Sequence, residues 1–380
     1  MTSISFIKRF RFWSTLTVVS VYLLILVGGI VRATGSGMGC PDWPRCFGQW
    51  VPPTQASQLP LNYKQLYTAQ RVAKNQKLAR MLERLGFKQV AGNIFAHPTQ
   101  YIETDFNPVK TWIEYLNRLL GALIGIFVFI TAVVALPYWQ HDRPVFWLAV
   151  ASWLLTGVQG WLGSLVVSTN LFPVLVTVHM GLALLIVAVL LYAAHRARYG
   201  RREQLDLDEP IELETTGEQQ DDERPAVSIG LRWLVGGLLL LSFVQITIGT
   251  QVREQVDLLA TANNYANRST WVDQLGSVFE SHRTLAALLI LANIVVGYLL
   301  WQLNEPTIKT LLGWVGGLLL LETAAGISLA VLGLPALVQP VHLMVATLLF
   351  GMQFLLLLAL RRSSSSSAAQ LAMEASQASA

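Results

Sequence analysis

Apolar residues in this chain run on far longer than the stripe of a surface helix allows. Eight stretches, at 12–32, 114–136, 145–167, 173–194, 230–250, 280–301, 310–332 and 338–360, each hold the ~20 mostly apolar residues that an α-helix needs to cross a bilayer. Each predicts a membrane-spanning helix. Lys8, Arg9 and Arg11 precede the first, but its run from Trp13 to Val31 is too long for the apolar region of a signal peptide, so it reads as an uncleaved span. Segment 34–111 is long enough for a small cap, and Lys64–Gln89 within it sets Leu66, Val72, Leu78, Leu82 and Leu85 among charges, as an amphipathic helix would. Segment 203–229 is strongly acidic, from Glu203 through Asp221, Asp222 and Glu223, and reads as a solvated linker. The tail 363–380, opening on Ser363–Ser367, reads as disordered.

The spans repeat as two sets of four. Span one ends in Gly28-Gly29-Ile30-Val31-Arg32 and span five in Gly249-Thr250-Gln251-Val252-Arg253. Span two opens with Asn117-Arg118-Leu119-Leu120-Gly121 and span six with His282-Arg283-Thr284-Leu285-Ala286. Pro173 precedes Val178-His179-Met180 in span four, and Pro335 precedes Val341-His342-Leu343 in span eight. The spacings agree as well, with 62 residues from Asn117 to His179 and 60 from His282 to His342. Leucine matches between hydrophobic bundles mean nothing, but matched Gly-x-x-x-Arg, polar-Arg and Val-His pairs do. Because four spans return the chain to its starting side, the repeats are parallel. The expected fold is therefore an all-α integral membrane protein of eight transmembrane helices, arranged as two pseudo-symmetric four-helix bundles. An N-terminal half, 1–202, is joined by the linker to a C-terminal half, 230–362.

Composition supports the bilayer: 53% of the 380 residues are apolar and 13% charged, against about 25% charged in soluble domains. The net charge of +4 is small and the basic residues cluster at span ends, which argues against nucleic acid as a partner. Those basic residues also set the orientation. Arg143, Arg196, Arg198, Arg201, Arg202, Lys309, Arg361 and Arg362 fall on the same side as the N-terminus, while the opposite short loops 168–172 and 333–337 carry no Lys or Arg. Both termini are expected in the cytoplasm. The only two cysteines, Cys40 and Cys46, share one Gly/Pro-rich loop on the far, oxidising side, where a disulfide is sterically reasonable.

Polar residues inside a bilayer are costly and usually functional. His179, His282 and His342 all lie in the first few residues of even-numbered spans, hence at one depth near the outer surface. His282 and His342 sit on different helices of one half, which suits two axial ligands on opposite faces of a haem. Zinc would want further ligands at that depth, and only Glu114 and Glu280 come near, so zinc is not expected. His97, His141 and His195 fall in loops or at a helix end. Arg32, Arg118, Arg253 and Arg283 lie at the outer ends of spans, placed either to pair with haem propionates or to anchor the interface.

The loop Thr34-Gly35-Ser36-Gly37-Met38-Gly39-Cys40-Pro41-Asp42-Trp43-Pro44, together with eight spans in two halves, closely resembles the heme A synthase family. The resemblance covers the membrane portion and leaves out the acidic linker and the serine tail. It implies oxidation of the C8 methyl of haem O to a formyl group, giving haem A for terminal oxidases. It also implies a resident haem b on His282 and His342, substrate haem in the N-terminal half on His179, and a catalytic carboxylate at Glu114, i to i+3 from position 117. A bacterial inner-membrane location follows, with a heme O synthase (farnesyltransferase), oxidase assembly partners and an external electron donor as partners. The family places histidine where this chain has Asn117, a poor iron ligand. That departure keeps two other readings open: a haem-binding electron carrier between quinol and haem, and a non-catalytic oxidase assembly factor.

Overall fold

The computed structural model describes residues 3–95, 102–169, 171–208, 228–263 and 266–378, with backbone alone for 3, 4, 200–208, 261 and 362–378. Eleven α-helices follow in order: α1 (Ser3–Ala33), α2 (Tyr63–Arg84), α3 (Lys88–Asn93), α4 (Pro108–Val134), α5 (Tyr138–His141), α6 (Arg143–Ser168), α7 (Pro173–Asp208), α8 (Ile229–Ala262), α9 (Ser277–Trp301), α10 (Pro306–Val331) and α11 (Val338–Ala378). Eight of them, α1, α4 and α6 to α11, are long and apolar enough to cross a membrane, as the hydrophobic runs require. They overrun the predicted spans where the sequence turns amphipathic. α8 continues past residue 250 because Val256 and Ala260 bury against Trp271, Leu275 and Leu334. Backbone of α11 also runs on through the serine tail to Ala378, where no structure was expected. Ala, Gln, Leu, Met and Glu there are good helix formers. The acidic linker begins as the last turns of α7, and its remainder, 209–227, lies outside the described residues.

α1 packs on α4 and α7, and α6 closes the ring between α4 and α7. α8 packs on α9 and α11 in the same way, with α10 between α9 and α11. The two bundles meet where α11 lies against α1 and α7, and α7 against α8. α11 is thus the central helix, 56% of its apolar segment being buried against 11% for α10. Close approach at this seam depends on small residues. A Cβ at Gly29 would stand 3.0 Å from the Cβ of Pro340, and one at Gly351 would collide with the Tyr22 hydroxyl. Leu123, Ile126, Phe129, Leu154, Leu291, Ile294 and Leu320 point outward and are exposed, as lipid contact demands.

At the end of the bundles that carries the long loop, α2 and α3 form the cap. Its buried stripe is Tyr67, Arg71, Asn75, Leu78 and Ala79, so two polar residues point inward while Leu66 and Leu85, expected to be buried, are exposed. Arg71 is held inside by Glu103 at 2.8 Å. Burial pushes the Glu103 carboxyl up and Arg71 pulls it back. The expected single helix breaks at Gly86, whose φ of +90° lets the chain turn into α3.

Eleven residues from the matched markers, the halves differ in kind. Gln353 accepts a hydrogen bond from the Ser242 hydroxyl at 2.6 Å and donates to Asn293 Oδ1 at 3.0 Å, tying α11 to α8 and α9 in the dry core. The equivalent residues of the first bundle, Leu190, Val21 and Val128, occupy one apolar cluster. Replacing Gln353 by Leu strands Ser242 and Asn293 and is expected to cost about 1–2 kcal/mol. A Ser242→Val/Asn293→Val/Gln353→Leu protein, copying the first bundle, should recover most of that loss. Thermal unfolding in detergent compares them, and equal losses in the two proteins would refute the equivalence.

Candidate functional site

Asn107 caps α4, its side-chain oxygen accepting from the Lys110 N–H at 3.1 Å, with Pro108 filling the first turn. Glu114 follows at 2% exposure. One carboxylate oxygen accepts the Cys40 N–H at 2.8 Å; the other is paired with Arg118, one turn along the helix. The same guanidinium donates to the carbonyls of Cys40 at 3.2 Å, Asp42 at 2.7 Å and Arg45 at 3.1 Å. Glu114 and Arg118 thus fix the loop that the Cys40–Cys46 disulfide closes. Asp42 receives the Phe47 and Gly48 N–H groups at 2.6 and 2.9 Å, and both sulfurs bury beside Phe47, Leu59 and Tyr67. The loop rests directly on α4, since a Cβ at Gly39 would stand 2.5 Å from the Lys110 carbonyl oxygen.

The three histidines share one local architecture. A Cβ at Gly163, Gly249 or Gly326 would come within 3.6, 3.3 and 3.4 Å of Cε1 of His179, His282 and His342 respectively, so each ring lies edge-on over a glycine of a neighbouring helix. One turn before each glycine stands a polar residue that engages the same histidine. Gln159 donates to the His179 carbonyl at 3.0 Å and Gln245 to the His282 carbonyl at 3.1 Å. Glu322 places a carboxylate oxygen 3.0 Å from Nδ1 of His342, off the line of a hydrogen bond. At the fourth position the pattern breaks. Gly28 remains, with open space around it, but the polar residue is Leu24 and the histidine is Asn117, whose buried Oδ1 has no hydrogen-bond partner. All four residues are half-buried.

Two of the four arginines are engaged in a way the sequence did not suggest. Arg32 and Arg253, equivalent in the repeat, converge on Asp257, at 2.9 and 2.6 Å, and so join the bundles at this end. Arg253 also bonds Gln339 and the Arg32 carbonyl. Arg118 serves the loop, while exposed Arg283 lies over the Phe279 ring. Glu280 is exposed. His141 faces the Pro137 carbonyl, His195 stacks on Tyr199, and His97 lies outside the described residues. The polar partners Gln159, Gln245, Glu322 and Asp257 escaped the sequence reading. Their signal was present in Gln/Glu-x-x-x-Gly, which recurs three times one helix before a histidine.

The family model described as COX15-CtaA, cytochrome oxidase assembly protein, matches residues 11–98 and 87–354. The chain belongs to this family. Among its relatives, the heme A synthase of Alkalihalophilus pseudofirmus is 23% identical over 353 residues, covering 90% of this chain and 95% of its own. That of Halalkalibacterium halodurans is 21% identical over 353 residues, covering 90% and 94%. The heme A synthase of Shewanella oneidensis is 28% identical over 187 residues, 48% of this chain and 44% of its own. The COX15-CtaA match takes in the disulfide loop, Glu114, Asn117 and the three histidines, and ends before the serine tail.

Arg118→Ala removes the donor to three loop carbonyls and leaves Glu114 buried without its cation, at an expected cost of about 3 kcal/mol. The freed loop should expose its disulfide, so reduction by a mild phosphine, followed as alkylated intact mass, should quicken several-fold. An unchanged rate would mean that the loop holds itself without Arg118.

Proposed function

We propose that this chain is a heme A synthase, oxidising the C8 methyl of haem O to a formyl group, with substrate haem in the first bundle and a resident haem b in the second. One observation carries the reading: the glycine–histidine contact recurs at three matched positions and fails at the fourth, Asn117, where buried Glu114 stands one turn away. The residues fit haem. A Cβ on the underlying glycine would stand against each imidazole, tightest at His282, and with Nδ1 buried the nitrogen that would meet iron is Nε2, which in His282 faces the Gln245 amide at 3.4 Å.

In the second bundle His282 and His342 hold the iron from two helices, and bound haem b supplies a one-electron redox couple. Arg283 is left to meet a propionate; Arg32 and Arg253 reach one only by releasing Asp257. In the first bundle His179 ligates the substrate, and Asn117 offers a hydrogen bond from a carboxamide that ligates iron poorly. Glu114 holds or moves a proton beside the reacting methyl, while the stapled loop above it keeps water out. A heme O synthase supplies the substrate, an external donor the electrons, and an oxidase takes the product. The Lys/Arg bias of the short loops puts both termini in the cytoplasm of a bacterium, with this site at the outer face of its inner membrane.

Asn117 and Leu24 together favour a second reading, an assembly factor that binds haem without turnover. Deletion of the gene separates the two, since cells then lose haem A only if the chain makes it. Purified protein supplied with haem O, oxygen and reductant should yield haem A, and Glu114→Gln should bind haem O yet lose most of that product. Asn117→Ala should be milder, a few-fold effect from one hydrogen bond worth about 1 kcal/mol. Full activity in Glu114→Gln would remove the proton role. Reporter fusions after Arg202 and Gln55 should report cytoplasmic and external positions respectively, and the reverse pattern would overturn the orientation.

A further inference from the structure

Glu322 is an ionisable residue in the middle of a membrane-spanning helix, where such groups are costly and functional. Among the described residues its carboxylate stands 3.0 Å from Nδ1 of His342, and its second oxygen is buried without a hydrogen-bond partner. The repeat supplies the comparison. Glu322 lies 20 residues before His342 and Gln159 lies 20 residues before His179, each four before the glycine under the ring. The two side chains do different things. Gln159 spends its amide on the backbone carbonyl of His179 and leaves the ring Nδ1 without a partner. Glu322 presents its carboxylate to the ring itself.

We propose that Glu322 is a positioning residue for the resident haem: it orients the His342 ring and strengthens its Nε2 as an axial ligand, whereas Gln159 leaves His179 a weaker ligand that can release product. The inference rests on the reading of His282 and His342 as haem ligands. A carboxylate is an acceptor only, so it fixes the tautomer in which Nδ1 carries the proton and Nε2 faces iron. The ring sits 3.0 Å from the carboxylate but off the line of a hydrogen bond, and turning into line on binding iron would let Glu322 draw on that N–H and shift electron density toward Nε2, the effect of an outer carboxylate on any metal-bound histidine. A stronger anionic field at the ligand favours ferric over ferrous iron and slows haem loss. A neutral amide directed elsewhere does neither, which suits a site that must exchange haem O for haem A at every turnover.

The test uses haem-loaded protein purified in detergent, with apomyoglobin as the trap for released haem and a spectroscopic redox titration beside it. Glu322→Gln should release haem roughly tenfold faster, the usual scale for losing an outer partner, and raise the reduction potential of the low-spin haem. Glu322→Asp should restore part of both. Gln159→Glu should slow release of haem O from the first bundle. A purely structural role would lower thermal stability without moving the potential, and that outcome counts against the inference. Unchanged release and potential in Glu322→Gln, while His342→Ala abolishes the bis-histidine spectrum, overturns the role of Glu322 alone. A bis-histidine spectrum that survives His342→Ala overturns the ligand reading and this inference with it.

Discussion

Hydrocarbon offers no hydrogen bonds, and every polar group inside this protein is arranged under that constraint. Backbone groups meet it by forming helices. Side chains meet it by pairing, as Thr17 does with Thr131, Thr177 with Thr250 and Gln251, Ser242 and Asn293 with Gln353, Gln245 with His282, and Glu322 with His342. Others, such as Ser152, Thr156 and Thr323, donate to a carbonyl one turn back on their own helix. At the end of the bundles that carries the long loop a polar group can also be satisfied from outside the spans, as Glu114 is by the Cys40 N–H.

That contact couples two parts of the chain that the bilayer would otherwise keep apart. The loop after α1 packs Phe47 and Leu59 against the cap, and it is fixed on α4 by a carboxylate, a guanidinium and the Thr111 hydroxyl. The disulfide shortens the loop and Asp42 ties its inside, so the surface over the first bundle is preformed. A carboxylate so bound is also positioned for chemistry. On the proposed reading Glu114 does both, and its substitution has to be judged with the state of the loop measured alongside.

The spans were legible because length and hydropathy alone determine them, and the expected disulfide was legible because one loop held both thiols. The repeat was read from Gly-x-x-x-Arg and Val-His, since glycine and charged residues in a span have few reasons to recur by chance, and the matching helix contacts of the two bundles are consistent with it. What stayed hidden depended on distance across the fold. Nothing local marks Asp257 as the partner of Arg32, which lies 225 residues away. The cap helix misled for the same reason: its leucines suggested one face, but Arg71 and Asn75 turn inward because Glu103, far along the loop, draws the first of them. Span ends were misplaced wherever a helix leaves the hydrocarbon and continues by packing on a neighbour, as α8 does.

The halves differ in both directions: the first bundle alone has the buried Thr17–Thr131 hydrogen bond, where the matched residues of the second are Leu238 and Val296. At five matched positions the second bundle carries the more polar or more strongly interacting residue: Gln245 against Leu24, His282 against Asn117, Ser242 against Val21, Asn293 against Val128 and Gln353 against Leu190. Glu322 against Gln159 is a sixth, adding a charge. In the second bundle these residues give a core cross-linked by hydrogen bonds and two histidines engaged from the neighbouring helices. The first bundle sets Val21, Val128 and Leu190 in one apolar cluster, keeps Thr17 bonded to Thr131 below it, and buries Glu114 at the end that carries the long loop. On the proposed reading, a core tied across by Gln353 suits a bundle that keeps its haem, and a mouth lined by Glu114 suits one that exchanges it.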